Sequence, residues 1–171
     1  VNLADDLRDY RDRLTDENRN LISSIFRFFT QADVDVCCGY AKHYLPTFKQ
    51  PEVRMMLSAF AAMEAVHQEA YSLLLETLGF RDDEYQKFFE HKAMLDKHEY
   101  LSNFGMGTRM DIAKTLAVYS GFTEGVQLFS SFAILLNFPR HNLMKGMGQI
   151  VTWSIRDETL HVEGMSQLFR T

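Results

Sequence analysis

From residue 15 onward the apolar residues fall three and four apart in long runs, while strand-like alternation is nearly absent. A first helix is expected from Thr15, a good N-cap ahead of Asp16 and Glu17, to just before Pro46. Its apolar line reads Ile22, Phe26, Phe29, Asp33, Val36, Tyr40, so an aspartate stands where a core residue is due. A second helix opens at Pro51 and Glu52 and closes at Gly79, with proline at the start and glycine at the end. Its line is Val53, Leu57, Phe60, Glu64, His67, Tyr71, Leu74, Leu78. Between Arg81 and Phe104 the charged residues predict one or two amphipathic surface helices, ended by Gly105 and Gly107. A third long helix runs from about Asp111 to Asn137 and stops before Pro139. It is apolar nearly all round from Leu116 to Leu136, which predicts burial on several sides, yet Glu124 stands in its middle. The last helix, from about Lys145, carries Met147, Val151, Ser154, Glu158, His161, Met165 and Leu168 on one line.

The polar members of these lines are the informative ones. In EAVHQEAY, residues 64–71, a carboxylate, an imidazole and a phenol share a face with apolar turns above and below, so the face looks into the core. Burying such groups without partners costs several kcal/mol, which calls for something buried that binds them. A weak repeat reinforces the point. Asp33 is followed 31 residues on by Glu-x-x-His, and Glu124 is followed 34 residues on by the same pair, which predicts two related helix pairs.

Asp33, Glu64, His67, Glu124, Glu158 and His161 are therefore candidate ligands of two metal ions. Glu and His three apart project to one side of a helix, so each pair can grip one ion while a carboxylate bridges both. One acid from each of two helices and Glu-x-x-His from two others is the donor set of dinuclear sites in helical bundles. Oxygen and imidazole donors without thiolate suit iron or manganese rather than structural zinc. A lone Glu-x-x-His is commonly a surface pair, and Asp33 or Glu124 alone could be satisfied locally. Here both pairs lie on apolar lines. Asp35 points off its line, and Asp157 is placed to accept a hydrogen bond from a ligand histidine. His43, His91, His98 and His141 sit among polar residues and are expected in solvent, and Trp153 is expected to pack.

Composition narrows the class. The chain has 171 residues, 46% hydrophobic, with three prolines and a formal charge of −5, which fits one compact helical domain. No basic stripe points to nucleic acid, and no apolar run is long enough for a bilayer. The adjacent cysteines, Cys37 and Cys38, cannot staple distant segments, so a reduced, cytoplasmic protein is expected.

At these residues the chain resembles the small, radical-bearing subunit of class I ribonucleotide reductase. The resemblance is carried by FFTQADVDV, EAVHQEAYSLLLETLG, FTEGVQLFSSFA and SIRDETLHVEG, and by the order Asp, Glu-x-x-His, Glu, Glu-x-x-His. It implies an all-α, ferritin-like bundle over residues 1–171 with a buried dinuclear site, lacking the family's C-terminal helices and tail. It implies Tyr71 as the radical-forming tyrosine and Leu128, Phe132 and Ser154 as its pocket, with Ser154 a departure from the bulky apolar residue commoner there. Asp157, bonded to His67, would belong to the radical-transfer route. The metal would be iron first, with manganese or a mixed pair as alternatives. The implied partners are a large subunit, a second copy of the chain, and a flavodoxin-like activator if manganese is loaded. The family's relay tryptophan and relay tyrosine have no counterparts here. A ferritin-like oxidase or ferroxidase without a radical tyrosine is the alternative, and a metal-free interaction bundle is the rival from another class.

Overall fold

The computed structural model describes residues 1–81 and 91–171, and no strand occurs among them. Residues 82–90, part of the expected surface helices, lie outside the described residues. Helix α1 spans Ala4–Asp12 and α2 spans Asp16–Gly39, with Thr15 Oγ1 accepting from the Asn18 N–H at its start. The chain then widens into a π-helical turn, Tyr40–Tyr44, and a last turn, Leu45–Thr47, so Pro46 lies inside the helical run instead of ending it. Helix α3 is Pro51–Leu78, closed by Gly79 at φ 92°, a left-handed conformation that glycine adopts without a Cβ penalty. Helix α4 is Lys92–Ser102. Helix α5 covers residues 109–135: an α-helical turn pair, Arg109–Leu116, a π-helical stretch, Ala117–Leu128, and an α-helical end, Phe129–Leu135. Thr108 and Asp111 form a reciprocal capping box at its start. A short α6, Asn137–Arg140, leads to α7, Lys145–Arg170.

Helices α2, α3 and α7 bury the lines the spacing marks, whereas α5, expected to be buried on several sides, buries one face and leaves Phe122, Val126 and Ile134 exposed. Two apolar clusters result. One gathers Phe26, Phe29, Tyr71, Leu74, Leu128, Phe132, Met147 and Val151. The other gathers Val36, Tyr40, Tyr44, Leu57, Phe60, Leu116, Tyr119 and Met165. Helices α2 and α7 pass from the first cluster to the second, and α3 and α5 pass the opposite way. Each crosses the seam at its polar residues, so the four carboxylates and two imidazoles lie between two hydrophobic clamps.

Helix α1 is not anticipated by the apolar spacing, because its first turns are acidic. It acts through those acids. Asp6, fully buried, accepts from the backbone N–H groups of Gly146 at 2.9 Å and Met147 at 2.5 Å, and Asp9 accepts from Met144 at 2.9 Å. The orphan amides at the start of α7 are thereby capped from another segment. A Cβ at Gly146 would meet the Asn2 carbonyl at 2.8 Å, so only glycine admits so close an approach. Trp153 stands half-exposed on α7 instead of packing, and no helix among the described residues is long and apolar enough to cross a membrane. Replacement Asp6→Ala is expected to destabilise the fold by about 1–2 kcal/mol, the scale of a lost helix cap. Thermal unfolding followed by far-ultraviolet circular dichroism checks this, and an unchanged midpoint would show that α1 does not hold α7.

Candidate metal centre

All six expected ligands are buried, none more than 4% exposed. Donor atoms of Asp33, Glu64 and His67 lie within 4.8 Å of one another, and so do those of Glu64, Glu124, Glu158 and His161. Glu64 belongs to both groups. Its Oε2 lies 3.6 Å from His67 Nδ1 and its Oε1 lies 2.9 Å from His161 Nδ1. Glu158 repeats the pattern, 3.1 Å to His67 and 3.4 Å to His161 through its two oxygens. Two carboxylates thus span two imidazoles, as the internal repeat leads one to expect. Glu124 Oε1 is 3.3 Å from His161 Nδ1.

Several of these atoms have no hydrogen-bond partner although no solvent reaches them: Asp33 Oδ2, both oxygens of Glu64 and Glu158, Glu124 Oε2, and Nδ1 of each imidazole. Lone pairs converging on shared space without donors fit divalent cations, and the oxygen and imidazole set fits iron or manganese. The outward ring nitrogens are anchored differently. His67 Nε2 donates to Asp157 Oδ2 at 3.3 Å, the carboxylate backing the spacing pointed to. His161 Nε2 meets the Met63 thioether at 3.3 Å and its ring stacks on Phe60 at 4.4 Å. Asp35 turns away, accepting from Gln31 and from His98 at 2.9 Å, so His98 is half-buried and not the solvated side chain expected.

Electrostatics follow from the crowding. Burial, then the Glu64 and Glu158 charges, push Asp33 well above the usual carboxylate range. Burial raises Glu124 to about 7 against the pull of His161. Burial opposes protonation of the imidazoles, yet the carboxylates beside them raise His67 to about 11 and His161 to about 12. Burial would lift Glu158 too, but His161 and His67 bring it below its ordinary value.

Two contacts escape any reading of spacing. Tyr40 OH donates to Glu124 Oε1 at 2.8 Å, and Tyr71 OH donates to Ser154 Oγ at 2.7 Å, which in turn donates to the Ile150 carbonyl at 3.2 Å. Tyr71 is 1% exposed, its ring 6.2 Å from that of His67 and walled by Phe26 and Phe29 at 5.6 and 5.2 Å. Leu128 and Phe132 are buried in the same cluster. A polar residue at 154 is therefore engaged and dry.

Residues 1–171, the whole chain, match the family described as ribonucleotide reductase, small chain. The chain belongs to that family. It is 50% identical over 184 residues to the probable ribonucleoside-diphosphate reductase small subunit 376L of Invertebrate iridescent virus 6, covering 99% of its own length and 51% of the viral protein. It is 30% identical over 166 residues to a ribonucleoside-diphosphate reductase small chain from Arabidopsis thaliana, covering 95% of itself and 48% of the plant protein. The chain spans about half the length of these relatives. Among solved structures, one assigned to a class I ribonucleotide reductase of Bacillus halodurans matches with a TM-score of 0.87 at 21% identity, with 99% of this chain covered and 62% of that one. An R2-like ligand-binding oxidase of Sulfolobus acidocaldarius matches at 0.81 and 22%, with coverage of 98% and 65%. The ferritin-like fold expected of the family is the fold observed.

Two outcomes are expected. In metal-free protein, the raised imidazoles contribute stability that is complete below their ordinary value near 6.5 and is lost as pH rises toward about 11 and 12. The melting temperature of the metal-free chain should therefore fall from pH 7 to 10, and divalent manganese should flatten that slope while releasing protons. Replacement Asp157→Asn should weaken manganese binding roughly 10- to 100-fold, read by the EPR signal of free ion, with the fold intact.

Proposed function

We propose that this chain is the metal-bearing part of a ribonucleoside-diphosphate reductase small subunit. In this reading Asp33, Glu64, His67, Glu124, Glu158 and His161 hold two metal ions, and Tyr71 is oxidised to a protected radical. The observation that carries it is a dry phenol one helical turn from His67, with its ring 6.2 Å from that imidazole. When bound, the two ions supply, with oxygen, the oxidising power to remove one electron from a neighbouring phenol.

The chain's own residues set the terms of that loss. Burial first, and the Asp33 charge next, push the Tyr71 phenol well above its ordinary range, so it carries its proton at neutral pH. Oxidation must therefore be accompanied by loss of the phenolic proton; the hydrogen bond to Ser154 Oγ holds that O–H in place, the neutral hydroxyl itself being no base. Phe26, Phe29, Leu128 and Phe132 then keep water and reductants from the ring. Asp157, part-exposed and bonded to His67, offers a route from the centre toward the surface. Iron is the first candidate, with manganese or a mixed pair next. A large subunit would carry the ribonucleotide chemistry, a second copy of the chain would complete the small subunit, and a flavodoxin-like activator would serve a manganese form. The free thiols of Cys37 and Cys38 support a cytoplasmic setting.

One observation favours a second reading. The solved neighbours include R2-like ligand-binding oxidases, three of them with a Mn/Fe cofactor at TM-scores of 0.73, 0.74 and 0.74, which keeps open a dimetal oxidase or ferroxidase without a radical tyrosine. Metal-free protein loaded anaerobically with ferrous iron and then given oxygen separates the two. A tyrosyl EPR signal is expected that disappears in Tyr71→Phe while iron uptake stays at the wild-type level. Iron oxidation without a radical, and again none with manganese and superoxide, would select the oxidase. Absence of metal uptake would overturn both.

A further inference from the structure

We propose that Tyr40 is a positioning residue of the metal centre, its hydroxyl fixing the orientation of the Glu124 carboxylate beside His161. The inference rests on the reading of the six clustered residues as ligands. Four tyrosines are buried among the described residues, and their hydroxyls end differently. Tyr44 donates to the Thr115 carbonyl at 3.0 Å and Tyr119 to the Leu101 carbonyl at 2.8 Å, both backbone groups, while Tyr71 donates to Ser154. Tyr40 alone among them donates to a carboxylate, at 2.8 Å, and that carboxylate belongs to the cluster.

The local fold is shaped for this contact. Tyr40 opens the π-helical turn at the end of α2, and Glu124 sits within the π-helical stretch of α5. Gly39 lets the two segments close: a Cβ there would lie 2.8 Å from the Tyr119 ring. The Tyr40 ring is 1% exposed, packed edge-on to His161 at 6.3 Å, Tyr44 at 5.7 Å and Phe60 at 6.1 Å, so its hydroxyl has little freedom to turn elsewhere. Glu124 Oε1 is thus held by the Tyr40 hydroxyl at 2.8 Å and lies 3.3 Å from His161 Nδ1, while Oε2 is buried with no partner. A carboxylate held this way is oriented before metal arrives. The contact falls on the half of the cluster that holds Glu124 and His161, so the two ion positions should differ in their dependence on it.

The test is a titration of metal-free protein with divalent manganese, free ion being read by EPR. Wild type is expected to bind two ions. In Tyr40→Phe the first should bind as in wild type and the second about 10- to 100-fold more weakly, the usual effect of removing a group that orients a ligand. Tyr44→Phe, which loses an equally buried hydroxyl, should keep wild-type affinities. Unchanged affinities in Tyr40→Phe, or an equal loss in Tyr44→Phe, would overturn the role of Tyr40. Fewer than two ions in wild type would overturn the ligand reading itself. If Tyr40→Phe does not fold, 3-fluorotyrosine at position 40 replaces it: its fluorine resonance should move when zinc binds, and a fixed resonance would overturn the proposal.

Discussion

The mutual repulsion of Asp33, Glu64, Glu124 and Glu158 is the term to which the rest of the structure has to answer. At roughly 4 Å and an effective dielectric constant near 20, one pair of like charges costs about 4 kcal/mol, and a whole domain is stable by only about 5–15 kcal/mol. Four ionised carboxylates could not be held together by packing alone. In the absence of metal the imidazoles answer with protons, which is why His67 and His161 are driven upward while Asp33 and Glu124 tend to neutrality. Divalent ions would give the same compensation with all donors free to coordinate.

The architecture makes that compensation local. Each of four helices crosses between the two apolar clusters at its polar residues, so rigid packing lies on both sides of the seam. A shift of any one helix along its axis would drag an acid into a hydrophobic cluster, a heavy cost for a charged group. Register along the bundle is therefore enforced by the same residues that carry the chemistry. Helix α1 adds to this from outside, because its acids fix the start of α7, the helix that carries Ser154, Glu158 and His161.

Much of this was legible in the chain. The lines of α2, α3 and α7 are buried as their spacing of three and four implies, and the six clustered residues are the polar members of the four lines. The His67–Asp157 contact was also within reach, since position 157 lies beside Glu158 on the same turn. What escaped has physical reasons. The acids of α1 make no apolar pattern, because their partners are backbone amides more than a hundred residues away. The Tyr40–Glu124 and His161–Met63 contacts join separate helices, and tyrosine or methionine on a core line looks the same whether or not it touches a ligand. His98 lies in a polar stretch, and nothing in its neighbourhood announces Asp35 across the fold. The widening of α5 did leave a trace. Leu116, Ser120, Glu124, Leu128 and Phe132 are all buried at a strict spacing of four, which on an ordinary α-helix would turn the line by roughly 40° per step.

That widening matters for comparing this chain with its relatives. A π-helical stretch of twelve residues, far longer than the single-turn bulges usually seen, advances less along the axis for each residue than the helix on either side. The flanks of α5 can therefore superpose on a relative whose helix is regular while residues 117–128 are out of step with it. Homologous positions there should be matched by where the side chains point in space. An alignment that slides Glu124 by one residue would exchange a core carboxylate for Thr123 or Gly125 and misread everything downstream of it in evolutionary terms.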